Sequence, residues 1–332
     1  MRDSDLIVVR PEGLYCPQGD FYIDPWRPVA RAVITHGHGD HARAGMGRYY
    51  SSAAGLPIMR WRLGEQPVQA HEYGQPFELG RARVSFHPAG HVLGSAQVRV
   101  EAGGEVWVVS GDYKRQPDPT CAPFEAVACD TFITESTFGL PVYRWPPTAE
   151  AIADILAWRQ HCADRGETAV LLCYALGKAQ RLLAELAPRY ERPLWLHGAI
   201  AAGVEVYRQS GVVMAETRLV ADEQARDACA GELVLAPPSA AGTAWMRRFR
   251  RLQTGFASGW MRIRGNRRRR NFDRGFVISD HADWPGLIDS VRQTGASRVI
   301  ATHGRSDALV RMLTENGLRA ESFSTDFGGD SP

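Results

Sequence analysis

The sequence predicts an α/β protein built in layers, and three features carry that expectation. Short apolar runs rich in β-branched residues recur along the chain, and most end in a polar cluster. Between 145 and 270 the texture changes to strands alternating with helices, the pattern of a small parallel α/β unit. Beyond that stretch the strand-then-cluster style resumes, so the middle unit reads as an insertion. The expected organisation is a first domain over 1–144, an insert over 145–272 and a return segment over 273–332. At 332 residues, one large domain or two ordinary ones would bury a sizeable core.

The runs ARAVITHGHGD (30–40), RVSFHPAGH (83–91), EVWVVSGD (105–112), DTFITEST (130–137), RGFVISDH (274–281) and SRVIATHG (297–304) read as buried strands whose last residues turn outward. Layered α/β proteins place ligands at strand ends, so the terminal residues of these runs are where function is expected. In the insert, Thr148 is expected to cap a helix through AIADILAWRQHCADRG, with Ile152, Ile155 and Leu156 apolar and Gly166 as its break. TAVLLCYA (168–175) is a continuous buried strand, KAQRLLAELAPRY (178–190) a helix, and RPLWLHG (192–198) and ELVLAPP (232–238) further strands. There is no internal repeat.

Composition narrows the function classes. No N-terminal apolar segment of signal-peptide type and no apolar run of membrane-spanning length is present, so a soluble, cytoplasmic protein with no membrane partner is expected. The six cysteines are scattered without a Cys-x-x-Cys pair, which argues against a disulfide framework and a thiolate zinc site and leaves them as small buried hydrophobes. Net charge is only +2, but its distribution is uneven. Ten arginines (247, 248, 250, 251, 262, 264, 267, 268, 269, 270) fall between 244 and 270 with no acidic residue among them, whereas Lys114 and Lys178 are the only lysines in the chain.

The densest chemistry lies in Thr35-His36-Gly37-His38-Gly39-Asp40-His41, directly after an expected strand. Gly37 and Gly39 let the chain turn tightly while His36 and His38 face one way and Asp40 and His41 another, which can feed two adjacent metal ions from one loop. Imidazole and carboxylate without thiolate suit zinc or manganese. A binuclear site needs more ligands, and the other strand ends offer His91, Asp112 and His303. Asp112 is the natural bridge, because a carboxylate gives one oxygen to each ion.

This loop, followed by a lone histidine, an aspartate in Ser110-Gly111-Asp112 and a late histidine, resembles the metallo-β-lactamase superfamily, an αββα sandwich. More narrowly, Gly90-His91-Val92-Leu93-Gly94-Ser95, Thr134-Glu135-Ser136-Thr137-Phe138-Gly139 and Ser279-Asp280-His281, with the inserted α/β domain, resemble its β-CASP nucleases. Those include RNA-cleaving members, DNA nucleases of the Artemis type and the bacterial exonucleases associated with DNA ligase; the likeness to the last covers nearly the whole chain. The resemblance implies that His36, His38, His91 and Asp112 hold one ion and that Asp40, His41, Asp112 and His303 hold the other. It implies that Asp24 orients the metal loop, that Glu135 supports the site from behind the ligands, and that His281 protonates the leaving oxygen or holds the scissile phosphate. Histidine suits either task near neutral pH.

Two ions roughly 3.5 to 4 Å apart can deprotonate a shared water and stabilise both oxygens of an in-line displacement, which fits phosphodiester hydrolysis. The expected function is a DNA exonuclease acting on single-stranded ends in repair, in functional association with a DNA ligase and helicase. An RNA-processing nuclease is the alternative, because the resemblance places a histidine at the position of His303 in RNA-cleaving members and not in Artemis-type ones. A non-catalytic nucleic-acid clamp and a lactam or thioester hydrolase are readings of other classes. The Asp at 112, the insert and His281 weigh against the hydrolase. Substrate contacts are expected from Lys178 and Gln180 at a helix start, from Ser258 and Gly259, and from Arg262, Arg264 and the other arginines interleaved with Trp245, Phe249, Phe256 and Trp260. His197 is a further substrate-binding candidate, and His71, His87 and His161 receive no role.

Overall fold

The computed structural model describes residues 4–221, 227–265 and 272–323. The chain divides into two compact units, one holding residues up to Tyr143 and again from His281, the other running from Arg144 to Asp280.

The first unit opens with a six-stranded sheet in chain order: β1 (Val8–Arg10), β2 (Gly13–Cys16), β3 (Phe21–Ile23), β4 (Ala32–Val33), β5 (Tyr49–Ser52) and β6 (Val68–His71). The first three strands pair antiparallel, and β3 to β6 run parallel. A second sheet begins with β7 (Phe77–Leu79), β8 (Ala82–Pro88), β9 (Ala96–Ala102), β10 (Glu105–Val109) and β11 (Thr131–Glu135). The chain then leaves to build the second unit from β12 (Thr168–Leu172), β13 (Leu194–Leu196), β14 (Thr217–Leu219), β15 (Leu233–Ala236), β16 (Leu252–Ala257) and β17 (Arg274–Phe276). It returns with β18 (Arg298–Thr302) and β19 (Arg319–Ser322), which complete the second sheet in the order β19-β18-β11-β10-β9-β8-β7.

Alternation of side chains decides the layers of the first unit. Trp107 and Val109 of β10, Ile133 of β11 and Ile300 of β18 enter one core together with Leu14, Phe21, Ile23 and Val33 of the first sheet, so the two sheets pack face to face. Their neighbours Val108, Phe132, Val299 and Ala301 point the other way, onto Leu287 and Val291 of the helix Trp284–Thr294 and Leu309 and Leu313 of the helix Asp307–Glu315. On the outer face of the first sheet, Ala32 and Tyr49 meet Met59 of α1 (Leu56–Leu63). Strands apolar on both faces read as continuous runs, which is why 105–109 and 131–135 show no polar alternation.

All six strands of the second unit are parallel, in the order β14-β13-β15-β12-β16-β17. Leu171 and Leu235 face the helices α2 (Thr148–Asp164), α3 (Lys178–Leu186) and α4 (Gly198–Gln209), while Val170, Val234 and Phe256 face Met246, Phe249 and Met261. The mixed α/β fold is as expected. Some local readings need correction. Thr148 is the first residue of its helix rather than its cap, and its hydroxyl accepts from Arg181. The run 274–280 belongs to the second unit through β17, which pairs with β16, and His281 begins the return to the first. Phe249 and Phe256 are buried in the core, because the apolar side of β16 needs a cover, and so present no stacking face. The six cysteines are free; four are buried, and Cys121 and Cys129 are half-buried. Among the described residues, no helix is long and apolar enough to cross a membrane.

Phe86 is fully buried between the sheets of the first unit. Phe86→Ala is expected to destabilise that unit by about 3–5 kcal/mol, read as an earlier urea transition followed by fluorescence.

Candidate metal centre

The centre lies along one edge of the first unit because of strand direction. β8 and β10 both run opposite to β9, and β10, β11 and β18 run parallel, so their carboxyl ends share that edge. The loop after β4 is pinned to it, with Ala96 N donating to the Thr35 carbonyl at 2.8 Å.

Asp24, just after β3, organises this loop. Its backbone is left-handed, with φ 44°, a strained state for a residue with a side chain. One carboxylate oxygen accepts from Thr35 N at 2.8 Å, and the other accepts from Thr35 Oγ1 at 2.5 Å and from His41 Nδ1 at 2.7 Å. Because the Thr35 hydroxyl donates to Asp24, it accepts from His36 Nδ1, 3.1 Å away. Thr302 repeats the device: its hydroxyl lies 3.3 Å from the Thr134 carbonyl and 2.8 Å from His303 Nδ1. In each of these three imidazoles the Nδ1 proton is thus directed at a fixed oxygen, which leaves Nε2 for the centre.

Inward-facing nitrogens converge. His38 Nδ1 lies 3.1 Å from His36 Nε2 and 3.1 Å from His91 Nε2. His91 is set by Ser95, whose hydroxyl accepts from His91 N at 3.0 Å and from Val92 N at 3.2 Å. Asp112 Oδ2 lies 3.6 Å from His36 Nε2, 3.5 Å from His41 Nε2 and 3.7 Å from His91 Nε2. Asp112 is reached through Gly111, whose φ of 55° and close approach to the Thr35 side chain leave no room for a Cβ.

Burial and mutual proximity set the electrostatics of these groups. Burial, reinforced by His41, His91 and His38, drives the His36 pKa far below its usual range, and burial does the same to His303. Burial raises Asp112 to about 7, although His41 and His281 pull it back. For His41 burial also disfavours charge, but Asp112 and then Asp24 outweigh it and lift the pKa to about 10. One proton on His41 therefore stands where positive charge is wanted. Imidazoles around a carboxylate are a donor set for zinc or manganese, and the structure groups them as His36, His38, His91 and Asp112, and again as His41, Asp112 and His303. Asp112 in both sets fits a shared ligand. Asp40 lies 3.8 Å from His41 Nε2, outside those sets, and is partly exposed.

A third group joins Asp112 to Glu135 and His281. Glu135, the last residue of β11, accepts from Tyr113 N at 2.6 Å and lies 2.8 Å from His281 Nδ1. His281 is in a loop rather than at the end of a strand, fixed by Ala282 N donating to the Tyr113 carbonyl and by Asp283, which caps the following helix through Gly286 N. The His281 ring centroid is 4.7 Å from that of His91.

The residues expected at substrate fare differently. Lys178 is buried, with Nζ on the Ile278 carbonyl and 3.0 Å from Asp280, and Gln180 is buried at the helix start, its side-chain oxygen accepting from Gly177 N. Both serve their own unit, because a helix start there needs its amides and charges satisfied. Ser258 caps a short 3-10 helix through Trp260 N, and Gly259 is buried. His197 caps α4 through Ala199 N, with its ring 4.6 Å from that of Trp245. Arg262 and Arg264 are exposed, and Arg267, Arg268, Arg269 and Arg270 lie outside the described residues. Sequence reasoning missed Thr35 and Thr302, whose only signal is a hydroxyl directly before a candidate ligand.

Two measurements test the centre. Asp24→Asn is expected to weaken zinc binding about 10- to 100-fold in a chelator competition, because an amide nitrogen would face the Thr35 or His41 donors. Metal uptake by the metal-free protein is expected to release protons into weak buffer. Affinity should fall as pH drops below about 10, where His41 is protonated, and more steeply below about 7, where Asp112 also takes up a proton.

No family model matches the chain. A protein of Opitutus terrae described as a probable DNA ligase is 33% identical over 318 residues, covering 95% of this chain and 31% of that protein. An Aspergillus fumigatus endoribonuclease, ysh1, is 32% identical over 127 residues, 37% of this chain and 14% of its own length. A ribonuclease of Thermus thermophilus is 27% identical over 220 residues, 55% of this chain and 49% of its own. The chain thus spans less than a third of the first of these relatives and a smaller share of the second. A solved structure, a protein of unknown function from Enterococcus faecalis, shares the fold with a TM-score of 0.59 at 11% identity, over 88% of this chain and 78% of that one. With a relative matched along nearly the whole chain, two others described as ribonucleases, and histidines and carboxylates converging from six places in the sequence, the chain belongs to the β-CASP nuclease family of the metallo-β-lactamase superfamily.

Proposed function

We propose that this chain is a metal-dependent exonuclease that hydrolyses phosphodiester bonds of DNA at single-stranded ends, as part of DNA repair. In this reading residues 1–144 and 273–332 are the αββα catalytic sandwich and 145–272 the β-CASP insert. The carrying observation is Asp112, common to all three groups of candidate ligands. His36, His38 and His91 would hold one divalent ion and His41, His303 and the neighbouring Asp40 a second, with Asp112 serving both; zinc is favoured and manganese is compatible. The ions would supply an acidified water and charge neutralisation at the attacking and leaving oxygens.

The chain's own residues do the rest. Asp24 and the hydroxyls of Thr35 and Thr302 hold three imidazoles in the ligating tautomer. Glu135 faces His281 Nδ1 and stabilises a proton on it, so Nε2 can hold a phosphate oxygen or give a proton to the leaving oxygen. Exposed Arg262 and Arg264 can add backbone contacts. The relative matched along nearly the whole chain is described as a DNA ligase and extends well beyond it, which supports DNA as substrate and work beside a ligase, with a helicase expected as a further partner. A ribonuclease is the second reading, favoured by His303 in the second ligand set and by the relatives described as ribonucleases.

Matched single-stranded DNA and RNA oligonucleotides labelled at either end decide between them. The expected outcome is stepwise shortening of DNA, lost by more than a hundredfold in Asp112→Ala and reduced by a similar factor in His281→Ala with zinc content retained. Shortening of RNA alone selects the second reading, and cleavage undiminished in Asp112→Ala leaves only a nucleic-acid clamp.

A further inference from the structure

The buried side of the centre is accounted for, but its open side is not. His36, His41 and His91 are buried, whereas His38 and Asp40 are partly exposed and Gly39 is exposed, so solvent reaches the centre over residues 38–40. Lying on this rim is an arginine from a different element. Arg62, in the last turn of α1, donates from Nη1 to the Gly37 carbonyl at 2.6 Å. Its Nη2 lies 3.2 Å from where a Cβ on Gly39 would stand, so the guanidinium rests on the two glycines that flank His38. Ile58 of the same helix closes on Gly37 from below, which fixes α1 against the loop.

Several observations point to an external anion. Arg62 is exposed; the Asp40 carboxylate on the same rim attracts it without forming a salt bridge, and among the described residues its single hydrogen bond is to Gly37, so most of its five N–H donors have no protein acceptor. Beside it Trp61 is one of the few large apolar side chains left exposed, at 37%, and Arg60 is exposed as well. Successive residues of a helix point about 100° apart, so the guanidinium and the open indole lie on neighbouring faces of α1, where they can meet a phosphate and a base of one strand.

We propose that Arg62 binds a backbone phosphate of the nucleic-acid strand at the open rim of the metal loop, and that Trp61 stacks on a neighbouring base. This rests on the nuclease reading and extends it, because it assigns the strand's path to the catalytic unit itself. Specificity follows from the chemistry: a guanidinium and an indole read phosphate and π-face, so the subsite accepts any base of a single strand and disfavours a duplex, whose bases are already stacked.

The test measures binding of a fluorescein-labelled oligothymidylate by anisotropy over a salt series, in a His281→Ala background that suppresses cleavage. Arg62→Ala is expected to weaken binding about tenfold or more and to lower the slope of log affinity against log salt by about 0.7, the share of one phosphate contact on a single strand. Arg62→Lys should keep the slope and recover part of the affinity. Trp61→Ala should lose at least fivefold without changing the slope. Zinc affinity, followed by chelator competition, should stay at the parental value in all three. An unchanged salt slope in Arg62→Ala overturns the proposal, and so does a fall in zinc affinity that matches the loss of binding, since Arg62 would then only brace the loop. A parent that binds no oligonucleotide removes the nuclease reading and this subsite together, whereas a binding parent with indifferent Arg62 and Trp61 variants removes the subsite alone.

Discussion

Asp112 sits out of water among imidazoles, and the unit around it is arranged to make that tolerable. A carboxylate in such surroundings loses its hydration, so its charge must be met by fixed donors or by a cation. Here it lies within 3.7 Å of three histidine nitrogens, and the burial that raises its pKa lowers that of His36. The arrangement cannot relax by letting side chains swing away. Asp24 grips the loop of His41, Ser95 grips the turn of His91, and Gly111 brings the aspartate against Thr35 at a distance no other residue type allows. The sheets of the first unit thus serve mainly to hold mutually unfavourable groups at short range, a burden that a bound cation relieves.

The hydroxyl-to-imidazole contacts show how the neighbours of a ligand matter as much as the ligand. Thr35 and Thr302 each stand one residue before a histidine, and each relays a proton pattern from a fixed acceptor, Asp24 in one case and the Thr134 carbonyl in the other. The same logic joins Glu135 to His281, where a carboxylate at the end of one strand orients a ring delivered by a distant loop.

Much of this was legible in the sequence because function here sits at strand ends, where apolar runs stop abruptly in histidine, aspartate or glutamate. Burial on both faces explains why 105–109 and 131–135 read so plainly, and the alternation of helix and strand exposed the parallel sheet of the second unit. The failures share a cause as well. Lys178 and Gln180 at a helix start look the same in sequence whether their polar atoms meet a phosphate or their own unit, and only the partners Ile278, Asp280 and Gly177 distinguish the two. Phe256 falls in an arginine-rich stretch yet lies inward, because β16 is interior to its sheet and this end of it is buried on both faces. Arg62 carried no signal at all: it is far in sequence from every ligand motif, and its place over the metal loop arises from how α1 packs.

β18 lies between β11 and β19, so a strand made late in the chain is interior to the second sheet and carries His303 at its end. On the ribosome, the parallel sheet of the second unit is synthesised entire before β18, while the earlier strands still expose the edge of β11. The nascent chain therefore cannot assemble the second ligand set until translation has passed residue 303, and a polypeptide interrupted before that point would display an open, apolar sheet edge for chaperones or proteases to seize.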